Sequence, residues 1–235
     1  MDSISRSLIA AQNKARALFK EVVGSGLMQA GKLASELTAQ IHSLAQARFG
    51  LCRHWHKRIA RAGPNTVLTY HDAACDRGIR DDDIVYLDFG PVFDEREAEF
   101  GRTFALGADP TKHPLVGDIA AAFQHGKELP RRTPDLTAGQ LYDFVAGPAA
   151  PLGWEFGAPC AGHLIDRFPH EISHQDPKRF SILFSIRHRN GIRIRDPDES
   201  GRARHWILEI HFVERAQMIG GLFEQLLTLD AHANG

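Results

Sequence analysis

Two carboxylates on one face of a short β-hairpin constrain this chain more than any other feature. The stretch from Asp83 to Gly107, DIVYLDFGPVFDEREAEFGRTFALG, contains two runs rich in β-branched and aromatic residues, Ile84 to Gly90 and Phe100 to Leu106, with Pro91 to Glu97 as the turn. A two-residue loop at Phe93-Asp94 pairs positions that sum to 187 and sets Asp88 opposite Glu99. On that register their Cβ atoms lie roughly 5 Å apart. Facing carboxylates beside Leu87, Phe89, Phe100 and Phe104 repel each other and lose hydration. A divalent cation or a shared proton between them removes the conflict; the alternative is an exposed hairpin whose acids point at water.

The same device recurs near the C-terminus. His205 to Val213 alternates, with Ile207, Glu209 and His211 on one face and Leu208, Ile210 and Phe212 on the other. Leu222, Glu224 and Leu226 share a face of the next strand, and a hairpin centred on Ala216-Gln217 sets Glu209 opposite Glu224. Between the two hairpins lies a glycine-rich stretch, GWEFGAPCAGHLIDRFPHE, carrying His163 and, seven residues on, His170. Seven is odd, so a regular strand would separate these two; Asp166 and Pro169 suggest a bend.

The remainder supplies helices. Leu8, Ile9, Ala15, Leu18, Phe19, Val22 and Val23 have helical spacing over residues 5–23, and Leu37, Ile41, Leu44 and Ala45 over 34–47. Pro114 to Glu128 and Thr137 to Val145 predict a second pair, separated by a basic, proline-containing linker at Pro130 to Pro134, with Thr137 as a cap. Phe49 to Tyr70 predicts a strand, a turn at Arg61 to Asn65, and a second strand at Thr66 to Tyr70; Phe180 to Ile186 predicts another strand. His54 and His56 alternate as on one strand face and read as structural or substrate-facing rather than as ligands. His42 is given no role, and the basic run Arg187 to Gly201 reads as solvated surface.

Composition narrows the class. Net charge of −1 gives no basic excess for nucleic-acid binding, and no apolar run approaches the ~20 residues of a membrane span. Cys52, Cys75 and Cys160 are three and widely spaced, which suits reduced thiols in a cytoplasmic protein. Helix pairs alternating with strand pairs over 235 residues, without a long low-complexity linker, predict one α+β domain spanning 1–235, with a hint of internal duplication.

Two facing acid pairs with one or two histidines form the donor set of a dinuclear metal site. Carboxylates with imidazole suit Mn, Co, Fe or Zn, and bridging carboxylates hold two ions about 3.5–4 Å apart, where a bridging water becomes a nucleophile. In this order, Asp, acid, His, His, Glu, Glu, the fragments DIVYLDFGPVF, EFGRTFALG, GHLIDRFPHE and HWILEIHFVE…GGLFEQLL resemble the pita-bread metallopeptidases. That family includes methionine aminopeptidase, aminopeptidase P, prolidase and the non-peptidase creatinase. The resemblance runs from about Gly26 to Leu227 and is nearest the aminopeptidase P and prolidase branch.

It implies a curved antiparallel sheet flanked by two helix pairs in pseudo-two-fold arrangement, and two divalent ions, Mn favoured, held by Asp88, Glu99, His163, Glu209 and Glu224. Glu209 would also handle the proton of the bridging water, His170 would contact the substrate carbonyl, and His71, or with a one-residue shift Thr69, would match the histidine before the first aspartate. The implied activity is cleavage of a short peptide or Xaa-Pro dipeptide. Two departures stand out. The family has aspartate where this chain has Glu99, whose extra methylene moves the carboxylate roughly 1.5 Å outward; and aminopeptidase P and prolidase carry an additional N-terminal domain. Glu99 favours the alternative of a non-peptidase enzyme cleaving a small-molecule C–N or C–S bond; a catalytically silent binding protein is the third reading. The exposed-looking first helix is compatible with a homodimer.

Overall fold

The computed structural model describes residues 1–51, 53–165 and 185–230. The chain opens with helices α1 (Ser3–Gly24) and α2 (Ala34–Phe49), then strands β1 (Ile59–Ala62), β2 (Ile84–Phe89), β3 (Val92–Phe93), β4 (Arg96–Glu97) and β5 (Phe100–Ala105). Helices α3 (Lys112–Arg132) and α4 (Ala138–Ala146) follow, and then β6 (Glu155–Phe156), β7 (Leu164–Ile165), β8 (His205–Glu214) and β9 (Ile219–Leu226). The sheet has the order β1-β2-β5-β9-β8-β6, with β7 also on β8, and each described pairing is antiparallel.

Side-chain alternation divides this sheet into a helix face and a site face. Val85, Leu87 and Phe89 of β2 pack with Leu18, Phe19 and Val22 of α1 and Leu37 and Ile41 of α2. Trp206, Leu208, Ile210 and Phe212 of β8 pack with Leu115, Ile119 and Phe123 of α3 and Leu141 and Val145 of α4. Each helix pair thus covers one half of the sheet, as duplication requires. The intervening residues, Asp88 on β2, Glu209 on β8 and Glu224 on β9, fall on the opposite face because the strand period is two. The fold is α+β and of the pita-bread type.

Several elements depart from expectation. The first hairpin turns at Asp94-Glu95, both with positive φ (49° and 62°), so paired positions sum to 189 and Asp88 lies opposite Gly101, not Glu99. Phe93 cannot serve as a turn residue, because it is buried in the α1 cluster. A slip of two residues preserves parity, so Glu99 stays on the face of Asp88. The expected strand at Thr66 to Tyr70 is absent: Gly63–Val67 is a 3₁₀ turn begun at Pro64, with Thr66 Oγ1 donating to Gly63 O at 2.6 Å and accepting from Gly220 N. Helix α3 runs through Pro130 instead of ending at a linker there. Of the expected strand at Phe180 to Ile186, residues 180–184 lie outside the described set; Ile186 N donates to Gly162 O.

Helix α1 is not an exposed element. Its Leu8, Ala15, Leu18 and Phe19 are buried, and Phe19 meets Phe100 and Phe89 at ring distances of 4.7 and 5.6 Å, while Val23 of the same stripe is exposed. Truncation of such a ring leaves a cavity in a close-packed core. Phe19→Ala is expected to lower stability by about 3–5 kcal/mol, read as a fall in urea midpoint with unchanged slope; a loss below about 1 kcal/mol would show that α1 is dispensable to the core.

Candidate metal centre

The four acidic residues reach the site from different parts of the sheet, Asp88 from β2, Glu99 from the link just before β5, Glu209 from the middle of β8 and Glu224 from β9. Glu209 and Glu224 are direct cross-strand partners on β8 and β9, the register that alternation predicts. Gly101, opposite Asp88, also pairs with Glu224 and so joins the two hairpins. A Cβ at Gly101 would fall 2.8 Å from Leu222 and 3.0 Å from the Glu224 Cβ, so a larger residue would push Glu224 away. Behind this junction the Arg102 guanidinium lies between the rings of Phe100 and Phe223, at 3.8 and 3.6 Å, and donates to the Gly101 and Glu224 carbonyls. It pins the backbone that carries Glu224.

The carboxylates are crowded and largely dry. Asp88, Glu99 and Glu224 are buried, and among the described residues Glu99 Oε1 and Glu224 Oε2 have no hydrogen-bond partner. Burial raises the pKa of Asp88, pushes Glu209 up to about 8, and drives Glu99 and Glu224 well above the usual carboxylate range. Mutual repulsion adds to the shift at Glu99, Glu209 and Glu224, with Asp88 acting on all three. Without cations, some of these groups must hold protons. Orphaned carboxylate oxygens in a dry, acid-rich pocket fit divalent metal, and His56, Asp88 and Glu99 bring donor atoms within 4.8 Å of one another.

Both histidines at the cluster have a set orientation. His163 precedes β7; its Nδ1 lies 2.9 Å from the Leu164 carbonyl, which can only accept, so Nδ1 carries the hydrogen and Nε2 faces Glu99 Oε1 at 3.9 Å. His56 is the unexpected member. Its Nε2 lies 3.5 Å from Asp88 Oδ1 and 3.4 Å from Glu99 Oε2. Strand alternation had grouped it with His54, but the chain bends at Trp55-His56 and the two diverge. His54 lies edge-on to Phe89 and 3.3 Å from His42 Nδ1, with burial lowering its pKa to about 3, in keeping with a structural role. No local signal in the sequence separates the two.

The other expected histidines lie elsewhere. His170 is outside the described residues. His71 is exposed, because Asp72 accepts from Thr69 N and Oγ1 in a tight turn that leaves His71 outside. Tyr70, partly exposed, is the residue of this turn whose ring meets His56, at 5.6 Å; partial burial, with the charges of Asp88 and Glu99, raises its pKa. His211, on the site face, accepts no role at the cluster; it pairs with Thr66 O at 2.9 Å, and burial lowers its pKa to about 4.

The raised carboxyl values carry a sign for stability. In metal-free protein the folded state holds more protons than the unfolded chain between the ordinary glutamate value of 4.5 and the folded value of Glu209, about 8. Stability is therefore fullest at the acid end of that window and is lost as pH rises through it. Thermal unfolding of chelator-treated protein is expected to show Tm falling by more than about 5 °C between pH of about 5.5 and about 8.5, with added divalent metal flattening the slope. A Tm that rises with pH in the metal-free protein would contradict the buried cluster.

The sequence profile of metallopeptidase family M24 matches residues 6–193. Solved structures share the fold at low identity. Prolidase from Pyrococcus furiosus superposes with a TM-score of 0.74 at 16% identity, over 98% of this chain and 62% of that one. The Xaa-Pro dipeptidase from Bacillus anthracis gives 0.73 at 18% over 98% and 59%, and methionine aminopeptidase from Rickettsia prowazekii 0.72 at 14% over 96% and 92%. The chain thus spans about three fifths of the prolidase and dipeptidase chains and nearly all of the methionine aminopeptidase. No curated protein matches it. With more than half its length matched by the family profile, and the fold and acid-rich site in agreement, the chain belongs to metallopeptidase family M24.

Proposed function

We propose that this chain is a peptidase dependent on two divalent ions, Mn favoured, that removes the N-terminal residue of a short peptide or splits an Xaa-Pro dipeptide. The observation that carries this reading is the set of four facing carboxylates, two of them with orphaned oxygens, in a pocket where full ionisation requires cations. Asp88, Glu99, His163, Glu209 and Glu224 would hold the ions. Bound there, divalent metal would acidify water and polarise a peptide carbonyl.

The chain's own groups do the rest. Glu209, half-buried on β8 in the field of Asp88, is proposed to take the proton of the attacking water and return it to the leaving amine. Apolar walls from Ile59, Tyr86 and Leu222 lie on the same face of the sheet and limit water there. His170 is proposed to steady charge on the scissile carbonyl. The free thiols Cys75 and Cys160, with Cys160 pushed up to about 12 by burial, suit a reducing compartment, and we place the protein in the cytoplasm. Among the described residues no helix is long and apolar enough to cross a membrane.

Glu99 supports a second reading, a non-peptidase relative acting on a small-molecule C–N bond, because its longer arm alters the position of one donor.

Metal analysis of the purified protein is expected to find about two ions per chain, with Xaa-Pro hydrolysis abolished by chelator and restored by Mn or Co. Glu209→Gln should lower kcat by about 10²–10⁴-fold. Less than about one ion per chain with no activation by added metal would overturn the proposal. Activity on small amides but not on Xaa-Pro or Met-Xaa peptides, raised rather than lowered relative to Glu99→Asp, would select the second reading.

A further inference from the structure

His56 lies outside the five-residue ligand set, yet the structure builds a seat for it. The strap from Arg53 to His56 is tied to the mouth of the first hairpin: Trp55 N donates to Gly90 O at 2.9 Å, and Val92 N donates to Arg53 O at 3.1 Å. Gly90 lies directly beneath it. A Cβ at Gly90 would fall 2.2 Å from Trp55 Nε1 and 2.3 and 2.5 Å from His56 Cδ2 and Nε2. Indole and imidazole therefore occupy the volume that the glycine leaves empty, and His56 has only 3% of its side chain exposed.

The ring is also oriented. His56 Nδ1 is 2.5 Å from the Lys57 carbonyl, which can only accept, so Nδ1 carries a hydrogen and Nε2 is turned to the acids. Metal-bound histidines are held by this kind of outer hydrogen bond, and His163 makes the same one to Leu164. The separations of Nε2 from Asp88 Oδ1 and Glu99 Oε2, 3.5 and 3.4 Å, exceed the ~2.8 Å of a charge-assisted hydrogen bond. They match the spacing of about 3.4 Å between donors that each lie ~2.1 Å from one tetrahedral ion. Glu99 divides its oxygens between the two rings, Oε2 towards His56 and Oε1 towards His163.

Resting on the metal-dependent reading above, we propose that His56 is a sixth protein ligand. It would complete with Asp88 and Glu99 one metal position, so that each of two ions has its own imidazole and Glu99 spans both. The longer arm of glutamate then has a use: it reaches a position displaced towards the Trp55-His56 strap.

The test uses the full chain loaded with Co(II) and read by proton NMR, where ring N–H protons of coordinated histidines appear as exchangeable, strongly shifted signals. Wild type should show two such signals. His56→Ala and His56→Gln should each lose one and weaken binding of one of the two ions by more than the roughly 10–100-fold that loss of a ligand's hydrogen-bond partner costs, while His54→Ala keeps both signals. The metal-free variants are checked for folding by circular dichroism, and His56→Gln retains a polar side chain of similar reach should the alanine variant not fold. A wild-type protein that binds Co(II) with a single shifted N–H, or a His56 variant that keeps both signals, overturns the His56 assignment and leaves the five-ligand reading standing. No binding of Co(II) or Mn(II) at all overturns both.

Discussion

The crowding of carboxylates on one face of the sheet is the constraint on which the rest of this structure depends. Four acids from two hairpins meet where burial and mutual repulsion both oppose their charged forms. Such an arrangement is stable only if protons or cations share the space, and a chain that invests two hairpins in it must hold those hairpins rigidly. The Arg102 guanidinium between Phe100 and Phe223, and the Gly101 gap that admits Glu224, are the means by which the two halves are kept in register at their junction.

The helices serve the same end from the other side. Because strand side chains alternate, a helix pair that buries Val85, Leu87 and Phe89 automatically presents Tyr86 and Asp88 to the opposite face, and a pair that buries Leu208 and Ile210 presents Glu209. Core packing and site geometry are therefore one constraint with two readouts. The exposed-looking first helix is part of it: its aromatic ring is wedged against both strands of the first hairpin.

Most of the fold was legible from periodicity, and the reasons for the failures are local. The second hairpin paired as alternation required, since Glu209 and Glu224 are separated by a connection with few alternatives. The first slipped by two because Phe93 is drawn into the core and the turn passes to Asp94-Glu95, which adopt the left-handed conformation. Thr66 to Tyr70 is β-like in composition, yet its polar groups are met by scattered contacts and not by a strand ladder: Thr66 by Gly220 and His211, Leu68 by the Tyr86 hydroxyl, and Thr69 by Arg61 and Asp72.

The site divides along the same line. Sequence alone determined which acids share a face and that they must be reconciled with a cation or a proton, because parity of two survives even a slipped register. Only the tertiary structure decided that His56, and not His54, reaches those acids, and that Tyr70 and not His71 stands beside it. The physical reason is the range of the interactions: alternation is a property of neighbouring residues, whereas the strap carrying His56 is placed by a gap at Gly90, thirty-four positions away in the chain.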